Sequence, residues 1–318
     1  MKNNIIVAGI DGGGTNTRAV LMNELGEILG TGQSGSSSID TVTLKETEEN
    51  IMIALNSAWI NSKIIKKKLD YIVIGLGGVS TKSDIEIIKK LFSKDNLIEN
   101  NKIYIVNDAE IALYGGLSGE AGIILISGTG SVCYGKNVNG ITFRSGGWGY
   151  IADDEGSGYY FGLKGISHML KCFDGRKEED LLSRRIKEYL NENDEFIINK
   201  MLYEKKLNRT EIAQLSKVVI ECANEGEISA IEILNNGIDG LINMVKAVNN
   251  KIRIGNEIIK IVKVGGIFDS NVFNDIFNEK LLNNIHDVEI AELEHSPVVG
   301  AALMALKYSK INERNYNV

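Results

Sequence analysis

The chain has 318 residues, room for two domains, and 43% of them are hydrophobic, as in a globular protein. Its net charge is −7 with no basic stripe, which argues against a nucleic-acid partner, and no apolar run approaches the roughly 20 residues of a membrane span. Cys133, Cys172 and Cys222 are odd in number and far apart, which argues against a disulfide framework and for a reducing, cytoplasmic setting. They lack CxxC spacing, and His168, His286 and His295 show no metal-ligand spacing with them, so each reads as packing or surface.

Ile5–Ile10, Thr17–Met22 and Glu27–Gln33 read as three successive strands, with Glu24–Gly26 as the second turn. Between the first two stand Asp11, Gly12, Gly13, Gly14 and Thr15. Glycines there permit positive φ and leave backbone N–H groups uncovered, so the turn is either an ordinary hairpin or an anion cradle. It is not a P-loop, because no Gly-Lys-Ser/Thr follows and a strand stands where a helix should. Gly35–Asp40 is a loop, Leu44–Lys66 a helix with Leu44, Ile51, Leu55 and Trp59 on one face, and Ile64–Leu69 a solvated basic helix end. Asp70–Leu76 is apolar throughout, as a parallel strand is. The glycines of Gly75–Gly78 at its carboxyl end admit a ligand close to the backbone. A helix at Ile85–Phe92 and a strand at Lys102–Val106 follow. Asn107 and Asp108 then precede a helix at Ala109–Leu117. Asp108 stands where α/β enzymes place reactive groups, but an Asp there is equally a good N-cap, and position alone does not decide.

Gly115–Gly122 is rich in glycine and small polar residues and marks a domain boundary. Ile123–Ser131 then repeats the opening pattern: an apolar strand, Gly128, Thr129, Gly130, Ser131, and a new strand through Lys136. The second copy favours the cradle reading, with phosphate as the anion, and points to a duplicated fold. After a strand at Ile141–Ser145 comes the glycine-rich stretch Gly146–Gly162, with Trp148 and three consecutive acids, Asp153, Asp154 and Glu155. Such a long structured loop is usually functional. Its acids either accept from neighbouring sugar hydroxyls or form a solvated acidic turn ahead of a helix at Ser157. Helices are expected over Tyr159–Phe173, Glu178–Leu190, Glu195–Tyr203, Glu211–Glu225 and Ile228–Lys251. Ile258–Val264 is a strand followed by Gly265, Gly266 and a helix from Asn271, a unit that lets backbone approach a flat ligand. Val288–Ala291 is a short strand, Pro297 suits the first turn of the last helix, and the apolar Val298–Leu306 packs back on the first domain.

Taken in order, IIVAGIDGGGTNT, IILISGTGS, GGWGYIADDEGSGYYFG, VGGIFDS and SPVVGAALMA resemble the N-acetylglucosamine kinase and BadF/BadG/BcrA/BcrD ATPase family, within the sugar kinase, Hsp70 and actin superfamily. The resemblance covers nearly the whole chain. It implies an α/β fold of two actin-like (ribonuclease H-like) domains, each a mixed sheet flanked by helices, with a cleft between them. Residues 1–117 would form the first domain, with a helix at about 297–310 packing back on it, and 118–296 the second, with a helical insertion. It implies an ATP-dependent kinase that phosphorylates the 6-hydroxyl of N-acetylglucosamine, N-acetylmuramic acid or glucosamine. A homodimer is the default expectation.

The resemblance also assigns roles. Asp108 falls on the family's catalytic aspartate. Asp11, Gly12, Gly13, Gly14, Thr15, Gly128, Thr129, Gly130 and Ser131 would bind ATP phosphates, and Gly265 and Gly266 would flank adenosine. Mg²⁺ would sit by Asp11, through water. Ser38, Gly77, Asn107, Asp108, Gly146, Gly147, Asp154 and Glu155 would hold the sugar, with Ser38 standing where the family has an asparagine. Two other functions stay open. One is an ATPase that activates a reductase or dehydratase through an iron–sulfur cluster, for which the three cysteines offer no obvious pair. The other is a non-catalytic, ATP-switched actin-like protein.

Overall fold

The computed structural model describes residues 5–65, 68–92, 99–204, 207–255 and 257–316; the expected helix end at Lys66 lies outside them. The chain divides into two compact units, Met1–Glu120 with Glu292–Val318, and Ala121–Ala291. Unit 1 opens with β1 (Ile6–Gly12), β2 (Thr17–Asn23), β3 (Ile28–Ser34), α1 (Leu44–Ser62), β4 (Tyr71–Leu76), α2 (Lys82–Phe92), β5 (Ile103–Asn107) and α3 (Asp108–Gly116). Unit 2 runs through β6 (Gly122–Ser127), β7 (Ser131–Lys136), β8 (Thr142–Gly146), α4 (Gly158–Phe173), α5 (Leu181–Leu190), α6 (Glu195–Tyr203), α7 (Arg209–Gln214), α8 (Ser216–Asn224), α9 (Ile228–Ile252), β9 (Ile259–Val264), α10 (Asn271–Asn284) and β10 (Val288–Ile290). The last helix, α11 (Pro297–Tyr316), belongs to unit 1.

The two sheets have one topology. Their strand orders are β3-β2-β1-β4-β5 and β10-β9-β6-β7-β8. In each, three strands pair antiparallel in succession and the next two add in parallel to the first. The first strand of each unit is therefore central, and its carboxyl end, with the turn that follows, lies beside the carboxyl end of the neighbouring parallel strand. Open α/β sheets bind ligands at such ends.

Period-two alternation splits unit 1 into two cores. Ile6, Ala8 and Ile10 of β1 face α1 and α2 with Ile51, Leu55, Trp59 and Ile88, so Trp59 is core. Val7, Val20, Met22 and Val73 on the other face meet α11 through Val298, Ala302 and Leu306. There a Cβ at Gly9 would overlap the backbone of Val298 and Ala302, so a glycine in mid-strand lets helix and sheet approach backbone to backbone. In unit 2 a larger core joins Ile123, Leu125 and Ile261 to Phe161, Leu241, Val245, Phe273 and Phe277.

Local signals set the helix ends. Thr43 and Glu46 form a capping box ahead of α1, which stops at Lys63 in left-handed backbone, φ 56°. The helix expected from Glu178 begins at Leu181, because Asp180 caps it through Ser183. The single helix expected over Glu211–Glu225 is two, α7 and α8, and α7 starts early because Asn208 and Glu211 make a capping box. Among the described residues no helix is long and apolar enough to cross a membrane.

Candidate active site

In unit 1 the β1–β2 turn closes with Gly13 N donating to Asn16 O at 3.0 Å. None of Gly12, Gly13 and Gly14 has positive φ, so the expected reason for three glycines is corrected. The turn needs space instead: a Cβ on Gly12 would overlap Leu76 Cδ2 and Ser37 Oγ, while Gly14 has room for one. The serine loop is tied to this turn, since the N–H groups of Ser37 and Ser38 both donate to Gly13 O at 3.2 Å. Thr17 Oγ1 donates to Gly35 O at 2.6 Å and bonds Ser37 Oγ at 2.7 Å. Gly77 N reaches Gly12 O at 2.9 Å, and Ile39 N reaches Gly77 O at 3.2 Å. Thr15 is exposed at the tip.

These links bring Ser38, Gly77 and Asp108 together. A Cβ built on Gly77 would lie 3.0 Å from Ser38 Oγ and 3.4 Å from Asp108 Oδ2. A side chain at Gly77 would therefore stand between the Ser38 hydroxyl and the Asp108 carboxylate. The ambiguity over Asp108 resolves: Asn107 is the N-cap of α3, with Oδ1 accepting from Ala109 N at 3.0 Å and Nδ2 donating to Val79 O at 2.9 Å. Both ends of the Asn107 amide thus hold the backbone at this junction. Asp108 is the first helical residue; its Oδ1 takes Ala109 N at 2.9 Å.

Asp11, half-buried at the end of β1, has its carboxyl pushed up to about 6, first by burial and then by the charge of Asp108, against a weaker opposing pull from Arg18. The Arg18 guanidinium is exposed and 3.9 Å away, too loose to neutralise it. Two oxygen-donor carboxylates that repel one another suit a hard divalent cation such as Mg²⁺.

In unit 2 the β6–β7 turn is held from below. Gly128 N donates to Gly130 O at 2.9 Å, and the carbonyls of Gly128 and Thr129 accept from Gly158 N at 2.7 Å and Tyr159 N at 3.3 Å at the start of α4. Ser131 Oγ donates to Glu155 O at 2.7 Å and Ser127 Oγ to Gly156 O at 2.8 Å. Gly265, with φ 117°, packs its α-carbon against Ser127 and Gly128, and Gly266 begins a short 3₁₀ turn beside it. Gly146 and Gly147 both have positive φ, with Met244 and Val132 filling the space beside them.

The three acids diverge. Asp153 accepts from Trp148 N at 3.2 Å. Glu155 leans on Gly240 of α9 and does not join Asp154. Asp154, 2% exposed and in left-handed backbone at φ 68°, turns to the glycine turn. Its Oδ1 accepts from Ser131 N at 3.3 Å, and its Oδ2 accepts from Arg209 Nη2 at 2.7 Å. Burial pushes the Asp154 carboxyl up despite Arg209. The residue order gives no signal for Arg209: it lies 55 residues from its partner, in a stretch of bland helical sequence.

A further cluster corrects the expectation that the cysteines and histidines share no metal spacing. His168 and Cys172 lie one turn apart on α4, and with Asp180 their ligand atoms fall within 4.8 Å of one another. His168 Nε2 is 2.7 Å from Asp180 Oδ2 and 3.4 Å from Cys172 Sγ. Cys133 is fully buried and burial pushes its thiol up, and Cys222 is buried as well, so neither offers a surface ligand.

Comparison with known proteins gives the family. The model of the BadF/BadG/BcrA/BcrD ATPase family matches residues 8–305. The chain is 35% identical over 301 residues to the N-acetylmuramic acid/N-acetylglucosamine kinase of Clostridium acetobutylicum, covering 94% of this chain and 97% of that one. It is 29% identical to the N-acetyl-D-glucosamine kinase of Dictyostelium discoideum, over 96% and 99% of the two chains. In fold it matches a candidate N-acetylglucosamine kinase of Chromobacterium violaceum with a TM-score of 0.77 at 21% identity, over 95% of this chain and 99% of that one. The chain belongs to the BadF/BadG/BcrA/BcrD ATPase family.

Proposed function

We propose that this chain is an ATP-dependent kinase of amino sugars that phosphorylates the 6-hydroxyl of N-acetylglucosamine or N-acetylmuramic acid. The observation that carries the reading is the Ser38–Gly77–Asp108 convergence. Asn107 is the N-cap of α3, and Asp108 follows as the first helical residue, with Oδ1 accepting from Ala109 N and Oδ2 on the side of Gly77 and Ser38. The names of the relatives support the acceptor class.

Phosphoryl transfer needs alignment, charge neutralisation and a base near the attacking oxygen. Asp108 accepts the proton of the sugar hydroxyl, a role worth about two to four decades in rate. The backbone of the Asp11–Thr15 turn and that of Gly128–Ser131 donate to phosphate oxygens, with Thr15 and Thr129 adding hydroxyls. Gly265 and Gly266 offer bare backbone to the adenosine. Asp11 would hold Mg²⁺ through water, and the ion would supply charge neutralisation at the phosphates. Ser38 and Gly77 position the sugar, and Asp154 keeps lone pairs for a sugar hydroxyl, since a carboxylate has about four acceptor sites.

The test is a panel of N-acetylglucosamine, N-acetylmuramic acid, glucosamine and glucose with ATP and Mg²⁺, with the product located by phosphorus–carbon coupling. A 6-phosphate on an N-acetylated sugar is expected. ATP hydrolysis indifferent to every sugar, with no sugar phosphate, overturns the reading.

A further inference from the structure

Arg209 is placed against the electrostatic grain of its helix. It is the first residue of α7, where the helix dipole disfavours a cation, and the capping box of Asn208 and Glu211 fixes it there. From that position it reaches Asp154 at 2.7 Å. A Cβ on Gly130 would overlap Arg209 Nη2, so the last glycine of the phosphate turn leaves space for the guanidinium. The guanidinium also lies 5.4 Å over the ring of Tyr150, which packs edge-on against Tyr159 at 5.0 Å. Two features show that the pair is incomplete. Arg209 Nε is buried with no hydrogen-bond partner among the described residues, and such orphan donors call for an explanation. The partners are also unequally covered: the Asp154 side chain is 3% exposed and that of Arg209 36%, so an incoming molecule meets the cation first.

We propose that Arg209 is a receptor for an oxyanion of a substrate at the Gly128–Ser131 turn, with Asp154 as the counter-ion that aims it. A planar guanidinium with one edge on Asp154 keeps other N–H groups for a second acceptor, and carboxylate and phosphate are the groups its fork fits. The kinase reading supplies two sources of that chemistry, and the inference rests on it for both: the carboxylate of an acidic amino sugar such as N-acetylmuramic acid, and the phosphates of ATP.

The experiment uses Arg209→Gln, Arg209→Lys and the double variant Arg209→Gln/Asp154→Asn. The double variant removes both charges but keeps hydrogen-bonding side chains, so it folds even where the single change strands a buried carboxylate. Calorimetry with ATP–Mg²⁺, N-acetylmuramic acid and N-acetylglucosamine reads binding without turnover, and KM values are taken in parallel. A tenfold to hundredfold loss is expected for one oxyanion-bearing ligand in both the single and the double Gln variants, with partial rescue in Arg209→Lys. Loss confined to N-acetylmuramic acid assigns the sugar carboxylate, and loss confined to ATP assigns the phosphates. If the double variant binds ATP–Mg²⁺ and N-acetylmuramic acid as the parent does, or if N-acetylglucosamine suffers as much as the others in Arg209→Gln, where Asp154 is intact, Arg209 is a structural partner of Asp154 and the proposal fails. A parent that binds ATP but phosphorylates no amino sugar overturns the kinase reading, while its ATP arm still decides the role of Arg209.

Discussion

The two units share a strand order and differ in what presses on their glycine turns. In the first, the crowded glycine is Gly12, hemmed in by Leu76 and Ser37. In the second it is Gly130, hemmed in by the Arg209–Asp154 pair, while Gly128 faces open space. A leucine and a serine side chain crowd one turn and an ion pair crowds the other. The parallel strands differ as well. β5 runs straight into α3 and delivers Asp108, whereas Ala291 stands in the corresponding place after β10. Duplication repeated the backbone shape; remote elements gave each copy its own chemistry.

The largest expected effect tests the second difference. Asp108→Asn keeps an oxygen for Ala109 N but loses basicity, so kcat should fall by roughly two decades or more while KM for ATP stays within a few-fold. A variant with near-parental kcat in a stopped-time assay would erase the asymmetry. The next effect sharpens the contrast between turns. Gly12→Ala should cost about 1–3 kcal/mol by overpacking, and Gly128→Ala within about 0.5 kcal/mol, both measured by urea unfolding without nucleotide. Equal losses would mean that the two turns are pinned alike. The smallest effect concerns Asp11. Its folded pKa of about 6 lies above the ordinary 3.8, so the folded state holds the proton more tightly than the unfolded one. Its contribution to stability is therefore present at low pH and is lost as pH rises from about 4 to about 6. Asp11→Asn should lack that loss and melt a few degrees higher at pH 7.5 without Mg²⁺, read by thermal scanning; matching pH profiles for parent and variant would refute the burial of an ionised Asp11 as the source of that loss.

Much of this was legible in the residues because both sheets are built from short-range signals. Apolar runs ending at Asp11 and Ser127, and the glycine turns after them, announce the hairpins. Asn107 and Asp108 could be placed at a strand–helix junction, but which one caps α3 depends on side-chain direction. What stayed hidden was set at long range. Ser38 and Gly77 are tied to the β1–β2 turn by hydrogen bonds from separate loops, and Asp108 comes beside them from the start of α3. Arg209 carries no local mark beyond Asn208, the helix cap beside it. His168 and Cys172 read as packing or surface because their third partner, Asp180, lies beyond α4 at the cap of α5.

The return of α11 has a consequence for the order of synthesis. Unit 2 is continuous and is complete once Ala291 has been added, whereas unit 1 is interrupted and still lacks α11 at that point. Domains ordinarily mature in the order in which they are made. Here β1 is made well before α11, so the packing of Val7, Val20, Met22 and Val73 is completed only when Val298–Leu306 arrives. Of the two units, the one begun earlier is thus finished later, and the sheet face that α11 covers is the part of it completed last.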